Sequence, residues 1–207
     1  MAPRTSTFQR QPATDREGHR CARLYLDAHP APLELSSGGR SGSISYTKNT
    51  KVYLAGPDGF TPVLSSWHRN VLVPAVAAAG LTPVSPWGNF VDEFDAAFAM
   101  AAGPARTAVL ADLDKRVGDA NAKMIESSAG MLAELDGVDV DSGTASEIGY
   151  GSALGLFICG VRTDFRLSSD NEGTRVNLQV EYFITRTGGH VHAANEPAIA
   201  ELAERIL

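Results

Sequence analysis

Asp141 and Glu147 lie six residues apart in the stretch VDSGTASEIGYGSALG, and their type and spacing point to a reaction centre. Two carboxylates at a loop-to-helix junction are a candidate reaction centre, because an ionised carboxylate can act as a nucleophile. Ser142-Gly143 breaks the preceding pattern, and a proline-free run of small residues follows as far as Gly155, which predicts a helix beginning near Gly143 and Thr144. Glu147 then falls in the first turn, where unpaired N–H groups and the positive end of the helix dipole favour the charged form. The same residues admit a purely structural account. Thr144-x-x-Glu147 fits a capping box with Thr144 as N-cap, and Asp141 fits an ordinary turn.

Three further segments bear on this choice: KVYLAGPDGF from Lys51, ANAKMIESSAGMLAELDG from Ala120 and VNLQVEYFI from Val176. With these four motifs, from about Lys51 to Gly189, the chain resembles the nucleoside 2-deoxyribosyltransferases. The resemblance implies that Glu147 is the nucleophile, that Tyr53 orients it and that Asp141 contacts the sugar 5′-hydroxyl. It also implies that Asn177 reaches the 5′-hydroxyl from a neighbouring subunit, and that Gly56 and Asp58 of the GPDG loop line the substrate site. Asn121 stands where the best-known members carry an aspartate that handles the leaving base; an amide can hydrogen-bond a base but cannot give it a proton. Those members also place a C-terminal tyrosine carboxylate in the site, whereas this chain ends Arg205-Ile206-Leu207, and no role is carried onto it.

Cleaving an N-glycosidic bond builds positive charge on the anomeric carbon, and a carboxylate beneath that carbon can stabilise and trap it, as in retaining glycosidases. The resemblance thus implies transfer of a 2-deoxyribosyl group between nucleobases, with retention at C1′. The expected partners are a small-molecule deoxynucleoside and a free nucleobase, with no cofactor and a homo-oligomer that shares its active sites. The alternatives are a nucleoside or nucleoside 5′-monophosphate N-glycosidase, or a non-catalytic nucleotide-sensing domain. Related monophosphate glycosidases carry serine where Asp141 stands, and an aspartate there repels a phosphate, so nucleosides are the expected substrates.

Composition is compatible with this reading. With 207 residues, 43% hydrophobic and 20% charged, the chain can bury one good core. A net charge of −6 argues against a nucleic acid polymer as partner, because backbone binding needs clustered Lys and Arg. Two cysteines indicate neither a disulfide framework nor a metal knuckle and suit a reducing cytoplasm. No apolar run approaches a membrane span, and none has the form of a secretory signal.

The elements that must hold these residues follow from periodicity. Residues 1–48 scatter arginines among Pro, Ser, Gly and Thr and read as a disordered extension ahead of an α/β domain over 49–207. Thereafter short apolar runs alternate with helical patterns, which predicts a flavodoxin- or Rossmann-like doubly wound sheet of about five parallel strands. Strands are expected at 52–55, 81–84, 130–135, 156–161 and 190–193. Helices are expected over 64–79, 106–127, 176–185 and from Asn195, an N-cap followed by Glu196-Pro197. The region 87–98 reads as looser. Trp87 and other aromatics of the first half could stack on a base or simply pack the core. Arg162 and Arg166, flanked by acids, read as an ion-paired surface loop. His190 and His192 could face one metal, but no third ligand accompanies them and no metal site is expected. The glycines of GYGSALG sit inside a helix, where they permit close packing and not dinucleotide binding.

Overall fold

A computed structural model describes residues 48–207, so the extension expected over 1–48 lies outside the described residues save for its last one. Five parallel strands form one sheet in the order β2-β1-β3-β4-β5: β1 Lys51–Ala55, β2 Thr82–Val84, β3 Gly130–Glu134, β4 Phe157–Val161 and β5 Val191–His192. This is the flavodoxin-like doubly wound order. Its switch point lies between β1 and β3, where such sheets bind ligands at the carboxyl ends of their strands.

Strand alternation divides the core in two. Tyr53, Ala55, Met131, Ala133 and Ile158 face the layer of α4 (Pro104–Glu126), α5 (Ser142–Leu154) and α6 (Leu178–Thr185). Val52, Leu54, Leu132, Cys159 and Val161 face the layer of α1 (Pro62–Trp67), α2 (Val73–Ala78) and α7 (Asn195–Ile206). Sheets covered on both faces read as near-continuous apolar runs, which is why these strands were legible. Close packing uses Gly151 of α5, where an added Cβ would sit 2.9 Å from Met131 Cε, and α5 ends at Gly155 in the left-handed region, φ 81°.

Four local expectations need correction. The single helix expected over 64–79 is instead α1, a π turn at His68–Leu72 and α2; Pro74 cannot donate to a carbonyl one turn back, and the widened turn precedes it. The looser region holds a helix, α3 (Val91–Ala99), which carries Asp92 and Glu93 in its first turn. Asn195 is not the cap of α7: the extended Ala194 occupies the N-cap position, and Asn195 Oδ1 is buried without a hydrogen-bond partner. Arg162 is no surface ion pair. It is 4% exposed, and its guanidinium donates to the carbonyls of Leu135, Gly137 and Arg166 at 2.6, 3.0 and 2.8 Å. Arg166 does pair with Asp164 at the surface. Among the described residues no helix is long and apolar enough to cross a membrane.

Candidate active site

Tyr53 projects from β1 toward α5, and its hydroxyl donates to Glu147 Oε1 at 2.6 Å. Burial pushes the phenol well above its ordinary range, and the charge of Glu147 and the hydrogen bond to it push further, so the proton stays on the tyrosine oxygen. The Glu147 carboxyl is also raised. Burial is the main cause, the Tyr53 hydrogen bond pulls back toward the charged form, and the nearby charge of Asp141 raises it again.

Helix α5 begins one residue earlier than expected, and its cap differs. Asp141 is the N-cap: Oδ2 accepts from the Thr144 N–H at 3.0 Å and from the Thr144 hydroxyl at 3.2 Å. Thr144 is thus inside the helix, no capping box forms, and Glu147 lies in the second turn, beyond the strongest reach of the helix dipole. Its ionisation is governed by burial and by Tyr53 instead.

Above Glu147 opens a cavity of about 350 Å³. Glu147, Asp141 and Gly143 border it from α5 and its cap, Gly56 from the end of β1, and Asn121 and Asp114 from α4. Phe60, Trp87 and Phe94 supply an aromatic wall. Trp87 is fixed there: its indole N–H donates to the Gly56 carbonyl at 3.2 Å, and Phe60 meets it edge-on at 4.9 Å between ring centroids. Its ring lies so tightly on Gly59 that a Cβ there would come within 1.9 Å of Trp87 Cε3. Carboxylates and aromatic rings lining one cleft suit a planar heterocycle joined to a hydroxylated ring.

Of the expected site residues, Glu147, Asp141, Asn121 and Gly56 border this cleft, and Tyr53 supports Glu147 from the core. Asp58 faces elsewhere. It is buried, its Oδ2 lies 2.9 Å from His68 Nδ1, and His68 Nε2 lies 2.9 Å from Ser85 Oγ. That oxygen in turn accepts from the Trp87 N–H at 3.2 Å, so this relay ties the GPDG loop to the base of the aromatic wall. Asp58 borders a second cavity of about 450 Å³ with Glu134, Asp136 and Trp67. There Glu134 Oε1 is buried without a partner, and its carboxyl is pushed up to about 8, first by burial and then by the charges of Asp58 and Asp136. Asn177 lies outside the cleft as the N-cap of α6, where its side chain accepts from the Gln179 N–H at 3.0 Å.

Sequence reasoning missed Asp114 and Phe94. Asp114 was findable, since it lies seven residues before Asn121 on one helix and so on the same face. The His68 relay has no sequence signature. His190 and His192, read as lacking a third ligand, have Cys159 and Glu201 beside them on the sheet face away from Glu147.

Fold and site together define a doubly wound α/β protein with a tyrosine-supported carboxylate at the carboxyl ends of its strands. The family model described as nucleoside 2-deoxyribosyltransferase matches residues 52–179, more than half of the chain, and the chain belongs to that family. Its fold is that of the 2-deoxyribosyltransferase from Leishmania mexicana: TM-score 0.55, 24% identity, over 76% of this chain and 99% of the other. A conserved protein from Enterococcus faecalis V583 is similar at TM-score 0.53 and 23% identity, covering 76% of this chain and 99% of its own. The 2-deoxyribosyltransferase from Bacillus psychrosaccharolyticus is similar at TM-score 0.51 and 19% identity, covering 72% and 90%. No curated protein matches the chain.

Proposed function

We propose that the chain transfers 2-deoxyribosyl groups between nucleobases. The observation that carries this reading is the 2.6 Å hydrogen bond from Tyr53 to Glu147 at the floor of a cleft with an aromatic wall. Glu147 Oε2 attacks C1′ of a deoxynucleoside as the C1′–N bond breaks, and the bonding pair leaves with the base. A nitrogen of a second base then attacks C1′ from the face the first one vacated, passes its proton to the Asp114 carboxylate, breaks the C1′–O bond to free Glu147 and gives net retention. Tyr53 keeps one oxygen of Glu147 fixed and favours the ionised form against burial, so the other oxygen is aimed. Asp141 holds the 5′-hydroxyl. Asn121 hydrogen-bonds the base, and Asp114, in the same wall, supplies the proton that the departing nitrogen needs.

The site is completed in a homo-oligomer by Asn177 of a neighbouring subunit. Supporting this, Tyr150 and Leu154 on α5 and Leu178 and Tyr182 on α6 are exposed apolar side chains on two helices that pack together. Incubation with deoxyuridine and free adenine tests the whole reading. Deoxyadenosine is the expected product; free deoxyribose would identify a hydrolase, and no turnover by a chain that binds nucleoside would identify a sensor. Glu147→Ala should abolish exchange in a folded protein, and substantial residual exchange would overturn the assignment.

A further inference from the structure

Cys159, His192 and Glu201 meet on the sheet face opposite Glu147. Strands β4 and β5 pair in parallel with Val161 beside His192, and strand alternation sends His190 and His192 to one side. There Glu201 of α7 receives both imidazoles, His190 Nδ1 at 2.6 Å from Oε1 and His192 Nε2 at 2.6 Å from Oε2. The buried Cys159 thiol donates to the same Oε2 at 3.3 Å. One donor atom from each of Cys159, His192 and Glu201 thus lies within 4.8 Å of the others.

We propose that these three side chains bind a divalent zinc-type ion. A thiolate, an imidazole and a carboxylate together match a borderline-soft metal that takes sulfur, nitrogen and oxygen in tetrahedral array; magnesium and calcium, which take oxygen alone, do not fit this set. Three protein ligands leave one position for water. His190 holds the outer oxygen of Glu201 and fixes how the carboxylate presents itself, as carboxylates beside metals commonly require. At 67% side-chain exposure His190 also leaves a path from solvent. Binding breaks the Cys159 S–H bond, forms an S–metal bond and releases one proton to solvent, while the His192 proton moves from Nε2 to Nδ1 so that Nε2 can bind, with no change of oxidation state. The ion would clip β5, an edge strand of two residues, to α7. This role is independent of the proposed transfer reaction, because the cluster lies across the sheet from the cleft.

The test uses the full chain, stripped with a chelator and titrated with Zn²⁺, then with Co²⁺ as a spectroscopic probe. One ion per chain, one proton released per ion and a thiolate-to-cobalt charge-transfer band that Cys159→Ser removes are expected. His192→Ala and Glu201→Gln, about one-fifth exposed positions that should fold normally, weaken binding at least about tenfold, and Cys21→Ser does not. Those two variants decide the matter if Cys159→Ser is unstable. Absence of stoichiometric binding, a cobalt form without the thiolate band, or affinity unchanged in both His192→Ala and Glu201→Gln would each overturn the proposal and leave a hydrogen-bonded strap.

Discussion

The phenol of Tyr53 and the carboxylate of Glu147, 94 residues apart in the chain, are joined by a 2.6 Å hydrogen bond across the β1–α5 interface. The bond opposes burial. Burial raises the Glu147 carboxyl, while the tyrosine favours its charged form. Since only the carboxylate attacks C1′, the exchange rate should fall as pH drops through the raised Glu147 value. Tyr53→Phe removes the one group that lowers that value, so the acid limb of the pH–rate profile moves to higher pH, with kcat at neutral pH reduced roughly 10–100-fold. Profiles of kcat against pH for both proteins check this; an unmoved acid limb counts against it.

Asp141 has two duties that substitution can separate. Asp141→Asn keeps an oxygen that accepts from Thr144 but loses the charge, so it should keep its stability and gain activity toward deoxynucleoside 5′-monophosphates. Asp141→Ala also loses the cap, at about 1 kcal/mol of stability. Urea unfolding and paired assays with deoxyadenosine and its 5′-monophosphate distinguish the two effects.

Asp114 stands two helical turns from Asn121 and borders the same cavity. If it protonates the departing base, Asp114→Asn should slow release of bases with poor leaving-group nitrogens by about 10²-fold or more. Nucleosides with activated leaving groups should be nearly unaffected, since they need no proton. Equal losses for both kinds of substrate would make Asp114 a wall residue only.

Glu134 makes the folded chain sensitive to base. Its carboxyl lies near 8 in the fold against an ordinary 4.5, so between these values the folded chain keeps a proton that the unfolded chain has released. The sign follows: stability is intact below the unfolded value and declines as pH rises through the folded one. Glu134→Gln stays neutral throughout, and it should exceed wild type by about 1–3 kcal/mol near pH 9 and match it near pH 4. Urea midpoints across that range measure the difference.

The sheet was legible because Val52–Ala55, Met131–Ala133 and Ile158–Val161 are apolar on both faces and separated by turn residues, and local pattern suffices for that. Glu147 and Asp141 were legible as a pair, but their helical positions were not. Both Asp141 and Thr144 are good caps, and only the extended backbone at Asp141, φ −53° and ψ 135°, decides between them. Asp58 was expected to line the site because the resemblance includes the GPDG loop; its direction is set by His68 and Ser85, partners that no local rule connects. Likewise Cys159 and Glu201 join His192 only once the β4–β5 register exists. Helix α3 escaped notice because Pro86, Gly88 and Asn89 before it advertise a loop, and six of its nine residues are alanine or acid.

The expectation that Asn177 serves a neighbouring subunit has a test that does not depend on knowing the interface. Asn177 caps α6 away from its own cleft, so Asn177→Ala should lower kcat/KM while leaving Glu147 and Tyr53 in place. Homo-oligomers of Glu147→Ala lack the nucleophile, and those of Asn177→Ala lack the contact from across the interface. If each site takes Glu147 from one subunit and Asn177 from the other, co-refolding equal amounts of the two variants restores activity. In a mixed dimer one site carries both defects and the other carries neither, so a random mixture should reach about a quarter of wild-type activity. Strictly additive activities of the two parents would place Asn177 outside any shared site.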